Sequence, residues 1–168
     1  MVRQHRIEDC VSEAVYSRCE TYRYSLTRTW DESGRKLLFV MLNPSTADEL
    51  RNDPTVERCE RRARSLGFGA FRVTNIFAFR ATSPTDLKKA KHPEGADNDE
   101  ILESAISWSD QIIAAWGVHG HHQKQDEKIK ALLFKSNVRV THLGLTKDGH
   151  PRHPLYVPYS QSPVAWQT

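Results

Sequence analysis

The chain has 168 residues, a length suited to one domain spanning 1–168 with enough core to fold without a metal or disulfide. Hydrophobic residues make up 38% and charged residues 27%, which excludes a disordered chain, and no apolar run is long enough to cross a bilayer. The net charge of +3 permits nucleic-acid binding without requiring it, while three cysteines with no C-x-x-C spacing argue against a disulfide framework and fit a reducing cytoplasm.

The N-terminus leads into acidic residues rather than an apolar stretch, so no secretory leader is read there. Tyr22–Trp30 places Tyr22, Tyr24, Leu26 and Trp30 on alternating positions, the pattern of a half-buried strand, and Asp31–Gly34 supplies a turn. Lys36–Leu42 is a continuous apolar run that stops at Asn43-Pro44-Ser45, as a strand covered on both faces would. Asp53-Pro54 reads as an N-cap followed by proline at the first helical position. Val56, Cys59, Ala63 and Leu66 then recur at helical spacing up to Gly67. Phe71–Phe77 is a second buried strand, Ser83-Pro84 opens a short helix, and Asp97-Asn98 opens a longer one to about Trp108. Gln111–Ala115 is a third buried strand ended by Trp116-Gly117, Gln125–Lys135 is helical, and Asn137–Leu143 is a fourth buried strand. From Thr146 onward the chain reads as ordered loop.

Strands alternating with helices predict an α/β fold of three α/β/α layers, with a central, mostly parallel four-stranded sheet and an N-terminal strand or hairpin. In such sheets ligands bind beyond the carboxyl ends of the strands. That rule brings Asn43-Pro44-Ser45, Asn75-Ile76-Phe77, Trp116-Gly117 and the segment after Leu143 to one rim.

The string L-N-P-S-T-A-D at Leu42–Asp48 resembles a prokaryotic family of unknown function. So do Y-R-Y-x-L-x-R-x-W at Tyr22–Trp30, T-N-I-F-A-F-R at Thr74–Arg80, A-A-W-G at Ala114–Gly117 and H-P-L-Y at His153–Tyr156. The order of the blocks also resembles, more distantly, the uracil-DNA glycosylase superfamily. That resemblance implies an Asn-Pro motif at Asn43-Pro44, a base-reading amide at Asn75, the Trp116-Gly117 strand end and a late His153-Pro154 loop. The chain departs from that pattern in having Leu42 or Met41 where a glycine is usual and no serine after Pro154.

The implied chemistry is hydrolysis of the N-glycosidic bond of a modified or damaged base in DNA. Asn43 would hold water through its carboxamide, although an amide is no general base. A neutral His153 would donate to the oxygen of the departing base. Asn75 would read the base edge, Phe77 or Phe79 would stack on the extruded base, and Leu155 and Tyr156 would wedge into the gap it leaves. Asp48 is the second-choice catalytic carboxylate, because the proline after Asp53 favours a capping role there. Arg80 and Arg152 are the preferred phosphate contacts, whereas Arg58, Arg61, Arg62 and Arg64 read equally as a solvated helix face. Trp116, Phe77 and Phe79 have core packing as their competing role.

No H-E-x-x-H spacing joins the histidines and no phosphate-loop string is present, so neither a metal nor a cofactor is expected. The alternatives are a reader of nucleic acid or modified bases with the same pocket and no turnover, or an enzyme acting on free nucleosides or nucleotides.

Overall fold

Why the middle of the chain folds as it does follows from local chemistry. The computed structural model describes residues 1–167. Strand β3 (Arg23–Thr29) and β4 (Lys36–Met41) flank β5 (Ala70–Asn75), and helix α1 (Pro54–Ser65) carries the chain from β4 to β5. Asp53 caps α1 by accepting a hydrogen bond from the Val56 N–H, with Pro54 at the first helical position. Gly67, at φ 84°, follows the last turn in the left-handed conformation that glycine tolerates best. Helix α2 (Pro84–Lys89) is capped in the same way by Ser83, which accepts from the Asp86 N–H. Helix α3 (Asn98–Trp108), β6 (Gln111–Ala114), helix α4 (Gln125–Lys135) and β7 (Arg139–His142) complete the alternating part.

The sheet corrects the expected fold class. It is not a central four-stranded parallel sheet but an eight-stranded mixed one: with β1 (Val2–Ile7), β2 (Cys10–Tyr16) and β8 (Val164–Ala165) added, the order is β1-β2-β3-β5-β4-β6-β7-β8. Strands β1 and β2 form an antiparallel hairpin that joins β3, and β3 runs antiparallel to β5. Only β5, β4, β6 and β7 run parallel, and the tail adds β8 antiparallel to β7. The expected loop after Thr146 therefore ends in a strand. None of the described helices is long and apolar enough to cross a membrane.

The unbroken apolar run of β4 faces two cores. Leu37, Phe39 and Met41 pack with Val56, Cys59 and Ala63 of α1, whereas Leu38 and Val40 pack with residues of α2, α3 and α4. Each fully buried aliphatic side chain contributes about 1.5–3 kcal/mol, so β4 is the strand around which the molecule closes.

Candidate active site

Beyond the carboxyl ends of β4 and β6 lies a cavity of about 650 Å³, within the range that holds a nucleoside-sized ligand. Asn43, Pro44 and Ser45 enter it directly after β4, and Trp116 and Gly117 after β6. The tail closes it from above. The Gly117 N–H donates to the Pro151 carbonyl at 2.8 Å, and the Arg152 N–H donates to the Gly144 carbonyl at 2.9 Å. These bonds bring His153 to Gly117, where a Cβ at φ 74° would stand 3.6 Å from the His153 Cβ. Arg152, Leu155 and Tyr156 complete that wall, and Tyr156 is 84% exposed.

The Asn43 amide nitrogen donates to the carbonyls of Pro44 (3.0 Å) and Ala81 (2.8 Å). Both amide hydrogens are thereby spent, so Asn43 can offer a ligand only its acceptor oxygen. His153 caps a short 3-10 turn, Pro154–Tyr156, its Nδ1 accepting from the Leu155 N–H at 3.3 Å. Burial holds the imidazole below its ordinary pKa, against a smaller opposing pull from Asp53. With Nδ1 engaged as acceptor, the neutral ring carries its proton on Nε2. The site thus contains one fixed acceptor and one neutral donor.

Several predicted site residues lie outside the cavity. Asn75 is completely buried at the end of β5, and neither atom of its carboxamide has a partner. Phe77 is a core residue packed against His122, with ring centroids 5.8 Å apart. Phe79 lines a neighbouring depression of about 310 Å³ with Arg80 and stands edge-on to Tyr22. Arg80 is turned inward, donating to the Glu20 carbonyl and lying over the Tyr16 ring. Asp48 closes an Asx turn, its Oδ1 accepting from the N–H groups of Leu50 and Arg51 (both 2.8 Å). Pro154 is buried beneath the turn it starts. Trp116 is 1% exposed and packs on Trp166, so it is a core residue one edge of which lines the cavity.

Three arginines carry roles that composition concealed. Arg58 donates to the carbonyls of Pro154 and Val157, and Arg62 to those of Gln161 and Pro158. Both guanidinium groups also lie over the Tyr159 ring, at 4.3 and 5.6 Å. They tie the His153 loop to α1. The double variant Arg58→Ala/Arg62→Ala is expected to raise amide exchange across residues 153–161 by about tenfold or more while α3 and α4 stay protected. Unchanged exchange in that loop would show that the arginines do not hold it. Arg23, the third, lines the cavity from β3 and is 1% exposed. Its only sequence signal is a charge between two tyrosines in a segment whose alternation reads as a half-buried strand, whereas β3 is buried from Arg23 to Arg28.

A family model described as a protein of unknown function (DUF1643) matches residues 23–155, the segment that contains nearly all of the cavity lining. No curated protein and no solved structure matches the chain.

Proposed function

Because the chain belongs to the DUF1643 family, which carries no assigned activity, we propose its function from its own cavity: hydrolysis of the N-glycosidic bond of a modified or damaged base in DNA. One observation carries this reading. A neutral imidazole donor at His153 and a fixed amide acceptor at Asn43 share a nucleoside-sized cavity whose mouth bears an exposed tyrosine.

Glycosidic cleavage leaves positive charge on the sugar and negative charge on the base. As the C1′–N bond breaks its electron pair leaves with the base, whose anion the Nε2–H of His153 stabilises; the water oriented by the acceptor oxygen of Asn43 bonds to C1′, and its surplus proton passes through solvent to the departed base. Tyr156 enters the stack in place of the extruded nucleotide, and Arg152 meets the phosphate backbone at the rim. With Asn75 outside the cavity, base discrimination falls to hydroxyls in the lining, among them Ser45, Thr46 and Ser83.

The test is incubation with single- and double-stranded oligonucleotides containing uracil or modified bases, followed by alkaline cleavage at abasic sites. Wild type yields abasic product, and Asn43→Ala reduces it by about tenfold or more. No product on any substrate, or undiminished product with Asn43→Ala, overturns the reading.

A second reading is a base reader without turnover. Asp53 is the one acidic residue found in the described lining, and both its oxygens are occupied, by the N–H groups of Ala47 (3.2 Å) and Val56 (2.8 Å). A site whose carboxylate is committed to backbone lacks a free general base. This reading predicts salt-dependent DNA binding with no abasic product.

A further inference from the structure

Beside the cavity, and divided from it by Ser45, Ala81 and Thr82, which line both, lies the depression of about 310 Å³ that holds Phe79. The partition is built of backbone. The Ala81 N–H donates to the Pro44 carbonyl at 3.0 Å, and the Ala81 carbonyl accepts from the Asn43 amide at 2.8 Å. The floor is fixed as well, because the Phe79 N–H donates to the Pro93 carbonyl and the Arg80 N–H to that of Thr21, both at 3.0 Å. Two hollows that share one wall can take neighbouring groups of a single ligand.

The lining of the depression selects the kind of group. Phe79 is half-buried, so part of its ring is open to a planar partner. Arg80 and Asp86 contribute one charge of each sign, a balance that favours a neutral occupant over a phosphate. The Arg80 guanidinium is tied to the Glu20 carbonyl and lies over the Tyr16 ring. Asp86 spends its N–H on the Ser83 hydroxyl, and its side chain is exposed. An aromatic ring beside an exposed carboxylate is what a nucleobase with an exocyclic amino group needs, a stacking surface and an acceptor.

We propose that this depression is a second base subsite, which takes the nucleobase next to the one held in the main cavity and prefers a base whose amino group meets Asp86 over thymine, which has none. The proposal rests on the function argued above only in taking the main cavity as a nucleotide site. It makes the ligand a polynucleotide rather than a free nucleoside.

The test is calorimetric titration of the full chain with deoxydinucleotides that join uracil, hypoxanthine or 8-oxoguanine to each ordinary base, in both orders, and with the component 3′- and 5′-mononucleotides. The tightest dinucleotide is expected to exceed both of its mononucleotides by about tenfold or more. With the first base held constant, thymine as the neighbour binds about fivefold more weakly than adenine or cytosine. Phe79→Ala brings dinucleotide affinity down to that of the mononucleotide. Asp86→Asn keeps the gain but removes the amino-group preference, because an amide both donates and accepts.

If Phe79→Ala fails to fold, Phe79→Leu, which keeps apolar volume without an aromatic face, is expected to lose most of the gain. Mononucleotides that bind as tightly as every dinucleotide overturn the subsite alone, as does a gain that survives in the Phe79 variants. An amino-group preference unchanged in Asp86→Asn overturns the role of Asp86. Failure of every nucleotide to bind overturns the subsite together with the reading of the main cavity. Absence of glycosylase product leaves these titrations unaffected, so the two ideas fail separately.

Discussion

Replacing Trp116 with alanine is expected to lower the free energy of unfolding by about 3–5 kcal/mol, the cost of deleting a large buried aromatic. The indole is 1% exposed, its ring centroid lies 5.6 Å from that of Trp166, and Gly120 leaves it no spare room. A Cβ on Gly120 would collide with the indole Cδ1, so the adjoining backbone is moulded to this side chain. For a chain of this size the loss corresponds to a fall in melting temperature of roughly 6–20 °C. Trp116→Phe keeps most of the buried area and gives up less than half of that stability. Urea denaturation of both variants checks the claim. A loss below about 1.5 kcal/mol for the alanine variant would show that Trp116 is a ligand contact with little structural duty.

The alternating centre of the chain was readable because its signals are local. Asp53-Pro54 and Ser83-Pro84 specify helix starts through one hydrogen bond and one ring each, and the run of β4 requires cover on both faces. The sheet edges carried no such signal. β1 reads V-R-Q-H-R-I, polar on both faces, and β8 has two residues, so neither produces a hydrophobic period. The insertion of β5 between β3 and β4 is a long-range choice that no short window records.

The site divides in the same way. Asn43, Trp116-Gly117 and His153 follow abrupt strand ends, and the strand-end rule brings them to one cavity. Asn75 breaks the rule because the chain stays hydrogen-bonded beside β4 for two residues past the end of β5. Ile76 N–H donates to the Met41 carbonyl and Phe77 N–H to that of Leu42. The sheet's edge is therefore reached only after Asn75 has turned inward. Arg58 and Arg62 were unreadable for another reason. On a helix face they look solvated, and only the returning tail supplies the carbonyls that they hold.

His153→Ala is expected to slow formation of abasic product about 10²–10³-fold, the usual effect of losing one preorganised donor to a departing anion. The fold should tolerate it, because the variant deletes only a partly buried ring and one cap bond to Leu155. The pH dependence is more diagnostic than the rate. The folded imidazole titrates below about 6.5, its unfolded value, because burial opposes the charge. Activity should therefore be level above neutrality and fall as pH drops through the lowered value. Protonation puts a hydrogen on Nδ1, facing the Leu155 N–H that it formerly accepted, and the Pro154–Tyr156 turn loses its cap. Stability changes with the same sign. Between pH of about 6.5 and the lower folded value the unfolded chain binds the extra proton, so stability falls on acidification there. Above about 7.5 His153 contributes no slope. His153→Gln offers an amide that does not titrate, so residual activity should lose its acid limb. An acid limb unchanged in His153→Gln, or a His153→Ala rate within threefold of wild type, would remove His153 from the reaction and with it the proposed cleavage mechanism.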